Sequence, residues 1–267
     1  MRLNTMIGGT LLRLVSVLVM GFLVLPLAVI LGSSFTASNF LTFPPQGLTL
    51  SWYGKILADP SYVAAFSTST ILATIATLVA ILLAVPAALA IARFDFPGKA
   101  GLATLLTSPL VLPHVVLGAA LLQYSATLGF MRTFWALLVG HVVIVTPFVL
   151  RSVLALLTPE QRALEEASMD LSAGAVPTFF FVTLPQIRSG VISGAIFAFI
   201  SSWINVELSI FNTTAELNTI PVKLFNYVQY TIDPSIAAIS AVTILVAAAA
   251  IILLDLTIGL DIVAKRR

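Results

Sequence analysis

Cysteine is absent and histidine nearly so: the 267-residue chain has no Cys and only two His, His114 and His141. The first absence excludes disulfides, thiolate metal sites and a Cys nucleophile. The second leaves too few imidazoles for a His cluster. Charge is scarce as well. Only 9% of residues are charged, against roughly 25% in an ordinary soluble domain, while 59% are apolar and the mean hydropathy is +1.09. A soluble globule of this composition could not cover its surface, so lipid must solvate much of the chain. Most soluble enzymes are thereby excluded. The net charge is only +2, with the basic residues scattered between apolar runs, so no basic patch exists to hold a nucleic-acid backbone. The chain also lacks a G-x-x-x-x-G-K-[ST] run, and with it a phosphate cradle for ATP.

What is present is a series of long apolar runs. A hydrocarbon core about 30 Å thick needs roughly 20 apolar residues in helix. Six runs of that length predict an all-α polytopic membrane protein with spans near 11–31, 65–92, 102–128, 135–157, 190–211 and 236–258. They are expected to be helical, because lipid offers no partner to an open strand and the runs lack the alternation of a membrane barrel. The first run is read as an uncleaved helix rather than a secretory signal, since it exceeds a usual signal core. Of the 13 basic residues, only Lys55, Arg132 and Lys223 fall on the side opposite the termini. The positive-inside rule therefore predicts cytoplasmic termini. The chain divides into a first helix with an extracytoplasmic segment (1–64), a transmembrane core (65–258) holding a cytoplasmic loop at 158–187, and a cytoplasmic tail (259–267). Pro26, Pro86, Pro109, Pro113 and Pro147 fall inside the spans, as ordinary tolerance in membrane helices or as bends around a moving pathway. Gly190 and Gly194 form a G-x-x-x-G pair, which signals close helix packing.

The loop 158–187 is the most polar stretch on the cytoplasmic side, and it reads as structure. Thr158, Pro159 and Gln161 supply an N-cap, a first-turn proline and the partner for a capping box. Leu164, Ala167, Ser168 and Leu171 follow at i, i+3, i+4 and i+7 and make one small, apolar face. Glu166 and Asp170 stand four apart with like charge. They form either a solvated acidic face or part of a docking helix whose carboxylates meet cations on another chain. Ser172, Ala173 and Gly174 end the helix, and a second short helix follows.

The stretch Leu164-Glu165-Glu166-Ala167-Ser168-Met169-Asp170-Leu171-Ser172-Ala173-Gly174, with Val182-Thr183-Leu184-Pro185 beyond it, resembles the EAA motif of binding-protein-dependent ABC importer permeases. Glu166, Ala167 and Ser168 take the Glu-Ala-Ala places, and Ser172 stands at the usual glycine position. Likeness continues in Leu48-Thr49-Leu50-Ser51-Trp52-Tyr53, in Ala92-Arg93-Phe94-Asp95-Phe96-Pro97-Gly98-Lys99 and in Thr219-Ile220-Pro221-Val222. These look like the spermidine/putrescine-type group, particularly its C-type subunit. The resemblance implies a type I fold of six helices in a bacterial inner membrane. It implies a second, different permease subunit, two ATPase subunits that carry the ATP and Mg, and an extracytoplasmic solute-binding protein. On that basis Glu165, Glu166, Ala167, Ser168, Met169, Asp170, Ser172, Ala173 and Gly174 are expected to couple the permease to the ATPase. No cofactor and no catalytic residue is expected on this chain.

Polar residues inside apolar runs mark candidate pathway positions. Glu207, within Ser202-Trp203-Ile204-Asn205-Val206-Glu207, is an acid inside the fifth run, where a carboxylate costs about 2.5–3.5 kcal/mol on insertion scales. It is expected to bind a cationic solute, to pair with a neighbouring helix, or to meet water near the outer exit. Ser202, Trp203 and Asn205 accompany it, and Gln123, Tyr124 and His141 are further candidates, each also explained by helix-to-helix hydrogen bonding. The polyamine-type relatives often carry an Asp-Glu pair where this chain has Ile204 and Asn205. The solute is therefore expected to be small, polar and nitrogenous: polyamine-like, opine or amino-phosphonate. The alternative is an ion-coupled secondary carrier that uses Glu207 alone; it leaves the EAA-like loop unexplained.

Overall fold

The computed structural model describes residues 2–258. Their helices are α1 (Arg2–Ser33), α2 (Ser51–Ala58), α3 (Pro60–Arg93), α4 (Lys99–Thr107), α5 (His114–Thr127), α6 (Phe134–Leu154), α7 (Pro159–Asp170), α8 (Ala175–Thr178), α9 (Leu184–Trp203), α10 (Ile220–Val228) and α11 (Ser235–Ile258). Among the described residues there is no strand, only an isolated bridge between Thr36 and Leu48. Backbone contacts divide the described residues into two units: those up to Pro60 with Asn226–Val246, and Ser61–Phe225 with those from Ala247 to Ile258.

Among the described residues four helical stretches are long and apolar enough to cross a bilayer: Leu12–Ser33, α3, α6, and Ala175–Trp203, which runs from α8 into α9 through a π-helical turn at Phe179–Thr183. Six were expected. The run 102–128 is not one straight span, because α4 and α5 meet at 107°. Taken together as one broken span they make a fifth. The break follows from two prolines four residues apart. Pro109 sits in a 3-10 turn, Ser108–Leu110, and Pro113 takes an extended conformation ahead of α5; neither has an N–H to continue the helical ladder. Pro26, Pro86 and Pro147, by contrast, lie inside uninterrupted helices. The elbow opens an apolar cavity of about 430 Å³ whose walls include Leu83, Leu105, Pro109, Leu112 and Val142. The last expected span falls on α11, whose described apolar stretch, Ser235–Ala249, is shorter than a crossing. The expected tail at 259–267 lies outside the described residues.

In the first unit, Trp52 of α2 is buried and donates its indole N–H to the Thr36 carbonyl at 2.9 Å, while the Ser34 and Tyr53 hydroxyls meet at 2.7 Å. The core of the second unit sits between α3, α6 and α9. Along α3 the residues Ala76, Ala80, Ala84 and Ala88 recur every four positions and have no exposed surface. They share one buried core with a branched stripe on α6, Val145, Val149 and Val153, and with Ile187 and Ala198 of α9. Small residues on one side of a seam let helix backbones approach closely. The approach is tightest between α6 and α9, as the Gly190/Gly194 pair predicts. A Cβ at Gly194 would lie 2.6 Å from Val149 Cα, and one at Gly190 would lie 2.6 Å from the Ser152 carbonyl oxygen. Neither contact is with a flexible side chain, so substitution must move backbone.

Ser172 explains how α7 ends. Its φ is +68°, in the left-handed region that favours glycine. The N–H of Ala173 bonds to the Ser168 carbonyl at 3.2 Å and that of Ser172 to Met169 at 2.9 Å, the paired arrangement of a Schellman cap. Gly174, with φ of −71°, has no such requirement; the turn is at Ser172, where the resemblance places the family's glycine. Ser172→Gly is expected to raise stability by about 1 kcal/mol, seen as a higher thermal midpoint or slower proteolysis within 158–187, and Ser172→Val to lower both. Gly194→Ala is expected to cost about 1–3 kcal/mol through overpacking, measured as a lower midpoint of the solubilised protein.

Candidate functional site

Most of the residues singled out by sequence fall in two clusters, one on the loop 158–187 and one around the C-terminal end of α9. In the first, Thr158 precedes α7 in an extended conformation with Pro159 as the first helical residue. The expected capping box does not form. The Thr158 side chain makes no cap bond to the backbone; instead it bonds the Glu160 carboxyl, which, helped by the backbone N–H of Glu160, lies below the usual carboxylate range. Gln161, the expected partner, turns inward, with its Oε1 buried and unpaired among the described residues.

The phase of α7 is inverted relative to an ordinary amphipathic helix. Leu164, Ala167 and Leu171, three of the four residues of the face expected to be small and apolar, are exposed, Leu171 to 86%, while the fourth, Ser168, turns inward. Gln161, Glu165 and Ser168 face inward. Glu166, Met169 and Asp170 are exposed with the apolar face. Glu166 accepts from Arg162 Nε at 3.0 Å, an exposed i,i+4 pair that offsets the like-charge spacing to Asp170 and is worth about 0.3–0.5 kcal/mol. Ser168 and Thr178 of α8 join their hydroxyls at 3.1 Å, which closes the hairpin.

Glu165 behaves differently from its neighbour. Arg93, the last residue of α3, grips its carboxylate in a fork, Nε to Oε2 at 2.8 Å and Nη2 to Oε1 at 3.1 Å. Thr183 donates its hydroxyl to Oε1 at 3.0 Å, and Arg93 Nη1 reaches the Thr158 carbonyl at 3.4 Å. The two charged side chains are only 11% and 12% exposed. A buried pair of this kind costs desolvation to form, but removal of one partner strands the other charge at a cost of about 3–5 kcal/mol. Sequence reading placed Glu165 and Glu166 together as coupling residues; the structure turns one inward and the other outward.

The second cluster forms where α9 stops. Glu207 was expected within the fifth span, yet the helix ends at Trp203, and Glu207 lies in an irregular segment before a 3-10 turn at Ser209–Phe211. Irregular backbone at membrane depth is tolerated where it is packed in protein or lines a cavity. Here both hold. Leu208 is buried where α5 and α6 each present a glycine: a Cβ at Gly118 would lie 3.0 Å from Leu208 Cα, and one at Gly140 would lie 2.7 Å from Leu208 Cδ2. His141 is buried on α6 and bonds Ser202 through Nδ1 at 2.7 Å and Ser209 through Nε2 at 2.9 Å, so one imidazole ties α6 to both ends of the irregular segment. Trp203 is buried against Phe199 and Phe66. These three candidates, His141, Ser202 and Trp203, are buried, and the Trp203 indole nitrogen has no hydrogen-bond partner among the described residues.

Asn205 and Glu207 instead line a cavity of about 280 Å³ with His114, Ser201, Ile204 and Val206. Asn205 Oδ1 accepts from the Leu208 N–H at 3.0 Å, and its amide nitrogen lies 3.4 Å from His114 Nδ1. The Glu207 carboxylate is 60% exposed and lies 3.8 Å from the same nitrogen. It is the only acid in the lining. Gln123 and Tyr124 are exposed near the end of α5 and do not border this cavity. Ser201 was missed by sequence reading; its position one helical residue before Ser202 carried no separate signal. Among the described residues no three His, Asp or Glu side chains converge as metal ligands. His141→Ala is expected to leave two buried serine hydroxyls unpaired and to lower stability by about 2–5 kcal/mol in denaturation of the solubilised protein. Arg93→Ala is expected to cost about 3–5 kcal/mol in the same measurement, whereas Arg162→Ala changes it by less than about 0.5 kcal/mol.

No family model matches the chain. It is 32% identical over 229 residues to the putrescine transport system permease protein PotI of Escherichia coli K12, covering 82% of this chain and 80% of that protein. It is 27% identical over 221 residues to the spermidine/putrescine transport system permease protein PotC of the same strain, covering 83% of each. Among solved structures, a bacterial ABC transporter involved in import of the acidic polysaccharide alginate contains a chain that matches at a TM-score of 0.70 and 14% identity, over 94% of this chain and 96% of that one. That last likeness speaks for the fold alone. Together with its apolar helices, the identity to PotI over four-fifths of both proteins makes this chain a multi-pass membrane protein that belongs to the ABC transporter permease family, in the group of the putrescine and spermidine/putrescine permeases.

Proposed function

We propose that the chain forms half of the translocation pathway of an ATP-driven importer of the bacterial inner membrane, with both termini cytoplasmic. Its partners are a second permease subunit, two ATPase subunits that bind ATP and Mg, and an extracytoplasmic binding protein that delivers the solute. The observation that carries this reading is the inverted face of α7. A helix that buries Glu165, half-buries Gln161 and Ser168 and presents Leu164, Ala167, Met169 and Leu171 to solvent has an apolar surface that lacks a partner within its own loop. Glu166 and Asp170 flank that surface with negative charge and supply polarity for a basic groove. The absence of a phosphate cradle in the sequence is in keeping with hydrolysis on another chain.

The cavity beside Glu207 supports a small nitrogenous solute of the polyamine-like, opine or amino-phosphonate class. A single carboxylate, an imidazole and an amide offer one site for a cationic nitrogen and neighbouring polar contacts. The docking is tested by tagging the chain and recovering the complex from detergent. Leu171→Glu and Glu166→Lys are each expected to reduce recovery of the ATPase subunits at least tenfold without lowering the thermal midpoint. Full recovery with both variants, or transport by the chain reconstituted alone, would replace this reading with an ion-coupled carrier. For the solute, Glu207→Gln is expected to reduce uptake of labelled putrescine or a smaller amine at least tenfold with the complex intact. Unchanged uptake removes Glu207 from the pathway.

A further inference from the structure

The ties between α7 and the rest of its unit are polar. Its inward residues are Gln161, Glu165 and Ser168, and its larger apolar side chains point away, so a displacement imposed on the outward face is passed on through hydrogen bonds rather than through interlocked apolar packing. Among those bonds the Glu165 carboxylate is the junction. It receives two donors from Arg93 and one from Thr183. Arg93 ends the 34-residue helix α3, and Thr183 ends the π-helical turn from which α9 continues. One carboxylate is thus shared by the end of α3 and the π-helical turn that leads into α9.

The geometry of the junction resists both rotation and sliding. A guanidinium fork fixes orientation as well as distance, unlike a single ammonium contact. The same guanidinium reaches the Thr158 carbonyl, directly before α7, so it holds that helix at its leading edge and at its middle turn. Movement of α7 relative to the end of α3 would break charge-assisted bonds between side chains that water barely reaches. The π-helical turn is a local irregularity of a type often found at functional positions, and here it brings the Thr183 hydroxyl onto Glu165.

We propose that Arg93, Glu165 and Thr183 are positioning residues that form the joint through which movement of α7 is conveyed to α3 and α9. The proposal rests on the docking of an ATPase on α7. It assigns the two adjacent glutamates to different work: Glu166 faces the partner, and Glu165 holds α7 to the spans.

The test uses the whole complex reconstituted in liposomes with its binding protein, with transport and ATP hydrolysis measured together. Glu165→Gln is expected to co-purify with the ATPase subunits but to move at least tenfold less solute per ATP hydrolysed. Arg93→Lys is expected to fall between this variant and the parent, because an ammonium cannot form the fork. The exchange Arg93→Glu with Glu165→Arg is expected to recover part of the lost ratio. Should Glu165→Gln fail to assemble, Thr183→Val removes only a neutral donor, and a two- to threefold drop in the same ratio is expected. An unchanged ratio in both Glu165→Gln and Thr183→Val overturns the joint. Loss of ATPase recovery by Glu165→Gln with an unaltered thermal midpoint also overturns it, by making Glu165 a docking group. Failure of the docking reading shows separately, as full ATPase recovery with Leu171→Glu.

Discussion

Hydrocarbon supplies no hydrogen-bond partners, and most of this molecule follows from that constraint. Backbone groups are satisfied within helices, and each polar side chain among them needs an internal partner. The chain has few such side chains, so each one it keeps has a definable position. His141 uses both ring nitrogens, on Ser202 and Ser209, and thereby fixes the start and end of the segment where α9 loses its regular structure. Arg93 and Glu165 satisfy one another where α3 ends, with Thr183 and the Thr158 carbonyl taking further bonding capacity. Between these two polar fastenings the core is alanine, valine, leucine and isoleucine. The fastenings set register and the apolar seam supplies contact.

The same constraint accounts for the separation of roles among the pathway candidates. A buried imidazole with both nitrogens occupied cannot also greet a solute, and a tryptophan packed between two phenylalanines is part of a wall. Asn205 is intermediate. Its carbonyl oxygen secures the backbone at Leu208, and its amide group looks toward His114. Within the cluster at the end of α9, Glu207 has its polar end largely free of protein, in a segment released from the helical ladder and held by glycines on two neighbours.

Much of the architecture was readable from the chain. Long apolar runs reveal helices because lipid-facing positions need no alternation, but five span prolines read alike, and among the described residues the pair at 109 and 113 marks the run that bends sharply. The place of the α7 turn was readable from the motif, and the positive φ of Ser172 supplies the reason glycine suits it. The rotational phase of α7 was not readable. Spacing identified Leu164, Ala167, Ser168 and Leu171 as a face but could not say whether that face is covered. The partner that Glu165 meets on the inward side is Arg93, 72 residues earlier in sequence, and no spacing within the loop announces it. The end of α9 was equally hidden, since composition does not distinguish a helix from an irregular segment sheltered by Gly118 and Gly140.

The alanine seam of α3 has a mechanical consequence. Alanine has no side-chain rotamers, so a row of methyl groups every four residues makes a shallow surface without deep knobs to withdraw from holes. Small axial shear along such a surface exchanges one methyl contact for another and empties no rotamer well. Larger side chains on that row would work as ratchet teeth. Between Ala76 and Ala88 the row carries none, and Leu72, buried one turn earlier on the same face, is where such a tooth stands.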